Sequence, residues 1–396
     1  MRILGRMSEA SVFRRRTGPE QDFSTTLAAA LKDAARGGVR FSAGGSDLEW
    51  ERFNSHPFEE REEGRRDALL AFESDPVRER HPGKPDGVSR FAYFLDGVQT
   101  TEEIGRIGTV PVVMTTVAAA IVHRRDGRLR KLDVAGVPAL MRALILPHDA
   151  HDPGARALYA AAESRGFPVP RSDAEAVASG AESVLLDSTQ HEPHIDPADY
   201  SALKQRAYQR ASSLRAAMEV ALLERWAEME TGEDWIAVDG QLPVPTPNAV
   251  GLIKNARRLF FGGEEARMLL DLEAGRRTTA FVPPWRAERA KAGRAEEERA
   301  SWYVRLWPSS AASEGADATS GLVRLEMDVP YSEQSATFDE VSRWLLAERA
   351  PLAKPDFRWA SMIYPIHYVE KILKPTVHGG RRTRLRLERE ISDLRT

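Results

Sequence analysis

The sequence predicts an α/β fold: a mixed sheet with flanking helices and an added N-terminal region. Three observations carry this. Strand-like runs cluster in residues 90–134, where β-branched and apolar residues dominate and an Asp-Gly pair offers a hairpin turn. A long helix with apolar residues recurring every three or four positions follows over about 198–229. Another strand, WIAVDG at 235–240, comes directly after it.

Taken in order, residues 1–88 are polar and charge-rich. LAAALKDAA (27–35) reads as a short helix, and FEEREEGRRD (58–67) and HPGKPDG (81–87) read as weakly packed text, so this region is expected to be an appendage without a legible role. The texture changes at 89. RFAYFL (90–95) is a strand closing on Asp96-Gly97, TVPVVMTTVAAAIVHR (109–124) is a second, and LRKLDV (129–134) returns beside it after Asp126-Gly127, giving three antiparallel strands. Residues 138–198 read as an insertion of short helices and loops, with one strand near 183.

In the long helix Tyr200, Leu203, Ala207, Ala211, Leu214, Met218, Ala221 and Leu222 form the apolar stripe. Pro197 and Asp199 supply its start and Gly232 follows its end. Beyond the 235–240 strand come VGLIKNARRLFF (250–261), two strands at 301–307 and 321–329, and helices at 338–350 and 367–374. Residues 89–378 form the main domain of this reading, and 379–396 a charged tail.

Bulk properties exclude several classes. A chain of 396 residues with 42% hydrophobic and 29% charged residues has the makeup of a folded soluble protein. A net charge of −3 rules out a uniformly basic wrapper of nucleic acid, so any such contact must use a local patch. With no cysteine there is no disulfide, thiol nucleophile or Cys-ligated zinc. No apolar run reaches the ~20 residues of a membrane span, no secretory signal is evident, and a cytoplasmic location is expected.

Asp96-Gly97 and Asp239-Gly240 both follow apolar runs. An Asp-Gly pair is most often a tight turn, because Gly accepts positive φ and Asp bonds its own backbone. The order strand, long helix, strand suggests a second role. It is the arrangement of a ribonuclease-H-like fold, in which carboxylates from those three elements converge on divalent metal. Phosphodiester hydrolysis needs an activated water and a stabilised leaving oxygen, which hard cations held by carboxylates supply. Among the helix acids, Glu219 lies at the edge of the apolar stripe, whereas Glu224 and Glu228 read as a solvated face. The competing reading is an ordinary Arg215–Glu219 surface pair at i, i+4.

The residues resemble the NurA-type nucleases, partners of the hexameric HerA translocase in DNA end processing. LDGVQTTEEIGRIGTVPVVMTTVAAAIV is similar to the family's opening strand and hairpin, LRAAMEVALLERW with WIAVDGQL to its Glu-bearing helix and second Asp-Gly strand, and VGLIKN to its Gly-x-x-Lys segment. WYVRLW and LVRLEMDVP resemble its late strands, and the likeness spans roughly 90 to 375. The resemblance implies that Asp96, Glu219 and Asp239 bind Mn2+ or Mg2+, with Lys254 beside the scissile phosphate. It also implies DNA and a HerA-type ATPase as partners, and docking as a homodimer. Lys254, Arg257 and Arg258 could form a DNA-backbone patch, or simply a solvated basic cluster. The chain departs from the family near its end. Tyr364-Pro365 is present, but His367 stands close behind it and Ile372 occupies the wider spacing where the family has histidine. His367 is therefore a candidate substitute, and a catalytically weak NurA-like DNA- or translocase-binding module is the alternative reading.

Overall fold

The computed structural model describes residues 23–39, 41–43, 70–148 (except 75, 86 and 88), 152–189, 196, 198–229, 232–254, 259–283, 299–309, 318–328, 335–351 and 357–378. Arg257, Arg258 and the 379–396 tail lie outside the described residues.

Helix α1 (Phe23–Arg36) is followed by the short strands β1 (Phe41–Ala43), β2 (Leu70–Ala71) and β3 (Glu79–Arg80). The long pair β4 (Phe91–Ile107) and β5 (Val110–Arg125) comes next, then β6 (Arg128–Lys131) and β7 (Met141–Leu146). Helices α2 (Pro153–Ser164) and α3 (Asp173–Ala178) lead to β8 (Ser183–Asp187) and the long helix α4 (Tyr200–Ala227). Strands β9 (Trp235–Asp239) and β10 (Ala249–Ile253), helix α5 (Gly263–Leu270), and strands β11 (Arg277–Thr278), β12 (Phe281–Val282), β13 (Arg299–Arg305) and β14 (Leu322–Asp328) follow. Helix α6 (Ser335–Glu348), a 3-10 turn (Phe357–Ser361) and α7 (Tyr364–His378) end the described chain.

The fourteen strands join one mixed sheet, whose main path runs β2-β12-β13-β14-β10-β9-β4-β5-β7-β8. At its centre β4, β9 and β10 are parallel, while β5 and β14 run against them on either side. The expected third strand differs from the observed one. β6 pairs with only the last turn-side residues of β5, because Asp126 and Gly127 take positive φ (53° and 70°) and fold a tight hairpin there. β7 pairs along residues 113–117 of β5 and takes the third place in the core of the sheet. Its sequence, MRALIL, lacks alternation because both faces are covered, which is why it did not read as a strand. The stretch 138–198 therefore supplies two strands, β7 and β8, to the sheet. The described parts of residues 1–88 also join it: β1 pairs with β4, β2 with β12 and β3 with β11.

Helices cover both faces. Leu95, Ile121, Ile236 and Val238 pack with Leu214, Met218, Leu222 and Trp226 of α4. Phe94, Ala120, Ala237 and Leu252 pack with Leu345 of α6 and Ile366, Val369 and Leu373 of α7 on the other side. Cross-strand partners share a face, so these two clusters label the sides of every central strand.

The register of α4 against β4 is pinned at one end. Lys204 Nζ lies 3.2 Å from Glu103 Oε2, and Tyr200 donates its hydroxyl proton to the same carboxylate. From Lys204 the helix climbs ~22 Å to Glu219 at 1.5 Å per residue. From Glu103 back to Gly97 the strand covers ~20 Å at 3.3 Å per residue. Glu219 is thereby delivered opposite Gly97.

Candidate active site

Three parallel strands bring the site together. β4 pairs Leu95 with Val238 of β9, so the next residues, Asp96 and Asp239, stand side by side. β9 in turn pairs Asp239 with Leu252 of β10, and Lys254 follows just beyond that strand. Asp96 lies opposite Ala120 across β4–β5, and both Ala120 and Leu252 belong to the cluster under α7. Asp96, Asp239 and Lys254 therefore share the α7 face. Glu219 comes from the α4 face and meets them at Gly97.

The two Asp-Gly pairs differ in structure. The expected end of the first strand at Asp96 does not occur, since β4 continues to Ile107. Asp96 is an interior strand residue, 5% exposed, and its Oδ1 accepts from the Gly97 backbone N–H at 2.7 Å. Gly97 is required for space. A Cβ there would fall 2.2 Å from Glu219 Oε1 and 3.1 Å from Arg215 Cγ. At the second pair β9 does end, and Gly240 takes φ 89° to turn the chain. The loop then crosses the face of β10, where a Cβ on Gly251 would stand 2.6 Å from the Leu242 backbone nitrogen.

Glu219 and Asp239 each have a cation within reach. Arg215 Nη1 donates to Glu219 Oε1 at 2.6 Å, and its Nε donates to Gln99 Oε1 at 3.3 Å. Gln99 is itself held by the Ser212 hydroxyl at 3.2 Å. Lys254 Nζ stands 2.7 Å from Asp239 Oδ1. These contacts keep some solvent access: the side chains of Glu219 and Asp239 are 12% and 28% exposed. Glu224 is exposed, and Glu228 pairs with Arg225, as a solvated face would.

The electrostatics follow from burial and crowding. Burial raises the Asp96 pKa well above the usual carboxylate value, and Asp239 and Glu219 add to this while Lys254 and Arg215 oppose it. Burial also raises Glu219, with Asp239 adding and Arg215 opposing. Arg215 is held further into its charged form, chiefly by Glu219. Burial works against the Lys254 charge, but Asp239, Asp96 and Glu370 together raise its pKa. The surroundings are thus short of positive charge.

Helix α7 contributes the remaining groups. His367 Nδ1 lies 3.5 Å from Glu370 Oε2, and Lys374 Nζ lies 2.7 Å from Glu370 Oε1. The His367 ring packs against Trp359, 5.1 Å between centroids. Although burial disfavours its charge, Lys374, Lys254 and His367 hold the Glu370 carboxyl below the usual range. Glu370 thus stands beside His367 and Lys374 and lies close enough to Lys254 for their charges to interact, and sequence reasoning missed it. The available signal was its spacing on the expected helix, three residues from His367 and four from Lys374. Ile372 lines a cavity of about 430 Å³ with Lys131, Leu140, Tyr368 and Thr376, on the other flank of α7 from Glu370.

Of the predicted residues that are described, Asp96, Asp239 and Lys254 share one face of the sheet, Glu219 reaches Gly97 from the other, and His367 stands on α7 beside Glu370. Among the described residues, no three His, Asp or Glu side chains hold a metal-binding arrangement as they stand. The donor set still suits a hard cation: its atoms are carboxylate oxygens, and the charge cost at Asp96 is what such an ion would relieve. Among the described residues, no helix is long and apolar enough to cross a membrane. No protein-family model matches the chain and no curated protein matches it significantly, so a functional reading rests on this geometry.

Proposed function

We propose that this protein is a divalent-metal-dependent deoxyribonuclease with a ribonuclease-H-like core, of the NurA type. The observation that carries the reading is the side-by-side placement of Asp96 and Asp239 on parallel strands with Glu219 reaching them over Gly97. The sheet order β7-β5-β4-β9-β10, with α4 leading into β9, supports the core assignment, and β8 extends it beyond β7.

Asp96, Glu219 and Asp239 are the residues that would hold Mn2+ or Mg2+, which when bound supplies Lewis-acid charge and eases deprotonation of water. The chain's own groups do the rest. Asp239 and Lys254 form a paired edge at which a phosphate can be met by the ammonium as a point charge. Burial of Asp96 excludes water from its side of the cluster and strengthens every interaction there. Glu370 adds negative charge near Lys254 from α7 and helps to keep the ammonium charged. In this reading a HerA-type translocase and a second copy of the chain are partners that bring DNA to a protein whose net charge is −3.

The test is cleavage of a labelled DNA duplex in Mn2+ by wild type, Asp96→Asn and Asp239→Asn. Loss in both variants with their folds intact supports the proposal, and undiminished cleavage overturns it. One observation favours the weak-catalyst alternative, a DNA- or translocase-binding module: isoleucine, which can neither hold a metal nor carry a proton, stands at 372, where the resembling family has histidine. DNA binding without cleavage by the wild type, alone and with a HerA-type partner, would select it.

A further inference from the structure

The charge inventory of the site has a consequence for how a cation enters. Asp96, Glu219 and Asp239 bring three acids, and Arg215 and Lys254 bring two cations. Glu219 and Asp239 are each engaged by one of these cations at 2.6 and 2.7 Å. A hard divalent ion takes carboxylate oxygens directly, so at Glu219 or Asp239 it meets a side-chain cation already seated on one oxygen, and the two positive charges compete for that carboxylate. Arg215 is built to let go. Its guanidinium already reaches Gln99 Oε1 at 3.3 Å and the Gly97 carbonyl at 3.5 Å, and Ser212 holds Gln99 in place. Leaving Glu219, it keeps hydrogen-bond partners and stays 28% exposed toward solvent. An isolated lysine ammonium released from a carboxylate has no such fixed fork to fall back on.

We propose that Arg215 is a resident counter-ion that competes with the divalent cation for Glu219, so that cation binding and the Arg215–Glu219 pair exclude one another. This rests on the metal-nuclease reading. It makes Arg215 a positioning residue acting through Glu219: it keeps the acids tolerable to each other in the metal-free protein and sets the cation concentration at which the site fills. With Arg215 in place the site discriminates against low cation levels, and the free guanidinium is left beside the filled site.

The experiment is calorimetric titration of the full-length protein with MnCl2, together with melting curves in EDTA and in Mn2+, for wild type, Arg215→Gln and Arg215→Lys. Arg215→Gln is expected to bind Mn2+ about two- to fivefold more tightly, the scale of a partly exposed i, i+4 charge pair. It is also expected to melt lower than wild type in EDTA, and to gain more from Mn2+ than wild type does. Arg215→Lys keeps the charge without the fork and is expected to fall between the two. A merely structural arginine would lower stability without tightening Mn2+ binding. Unchanged or weaker Mn2+ binding by both variants, with wild-type binding intact, overturns the competition alone. Absence of Mn2+ binding by all three proteins overturns the carboxylate site itself, and the competition with it.

Discussion

Gly97→Ala isolates the role of Glu219 from the stability of the fold. The added Cβ would lie 2.2 Å from Glu219 Oε1, so the carboxylate must retreat by roughly 1 Å or more to reach ordinary contact. That oxygen is the far end of a flexible side chain and can move. Arg215 Cγ, at 3.1 Å, needs to give only slightly. The lost Arg215–Glu219 pair is partly exposed, so its value is discounted to at most ~1 kcal/mol. Gly97 lies within β4 and does not take positive φ, so alanine fits the backbone there. It also removes unfolded-state freedom worth about 0.4–1 kcal/mol. The two terms nearly cancel, and the melting temperature should stay within ~4 °C of wild type. Cation binding should suffer more, because a carboxylate displaced by that much no longer meets the donor geometry a hard cation needs. A loss of about 10- to 100-fold in Mn2+ affinity is expected, the scale seen when a site's supporting geometry is disturbed. Mn2+ titration of DNA cleavage, paired with melting curves in EDTA, reads both quantities. An unchanged Mn2+ dependence would refute the placement of Glu219 in the site, and a large fall in melting temperature would refute the energetic balance.

Three further predictions follow from the same cluster. The Asp96 pKa is raised in the fold, so the folded state holds the extra proton between the unfolded value, about 4, and the raised one. Stability of the metal-free protein should therefore fall as pH rises through that window; Asp96→Asn should remove this slope and melt higher at neutral pH. A pH-independent difference between the two melting curves in EDTA would contradict it. Lys254→Met breaks a pair whose side chains are 21% and 28% exposed, so its stability cost is at most ~1 kcal/mol. Its cleavage rate should nonetheless fall more than about tenfold, over 1.4 kcal/mol of barrier, and equal losses in both measurements would count against a phosphate role. His367→Ala should change cleavage by less than about threefold, under 1 kcal/mol, because its contacts are with Glu370 and Trp359. Glu370→Gln should be the more damaging of the two, and the reverse order in a rate assay would restore His367 as a direct participant.

Much of the fold was legible where one physical signal dominated. The α4 stripe could be read because its apolar residues repeat at helical spacing, and Leu203, Ala207, Leu214, Met218 and Leu222 are indeed buried. Strands β5, β9, β13 and β14 could be read from β-branched and aromatic runs. What failed was periodicity under double burial. β7 is apolar on both faces and gave no alternation. The N-terminal strands β2 and β3 are two residues each, too short to carry a pattern, and exist only because β12 and β11 offer them edges. In the site, the acids and their nearest cations, Arg215 and Lys254, could be named from the chain alone, but Glu370 could not. Glu370 is remote in sequence from Lys254, and only the packing of α7 on β4 and β9 brings their fields together.

The two Asp-Gly pairs show why one dipeptide cannot be read one way. At Gly240 the glycine answers a backbone demand, since φ is 89° and the strand must end. At Gly97 the backbone demands nothing, and a turn is excluded because the ladder to β5 continues through Gln99 and Thr100. There the glycine answers a side-chain demand from α4, whose Glu219 needs the volume a Cβ would fill. Asp96 can then lie on the α7 face while Glu219 approaches Gly97 from the α4 face. A carboxylate cluster drawn from both faces of one sheet requires such a gap. Alanine at 97 should keep the fold and shift Glu219 away from the two aspartates.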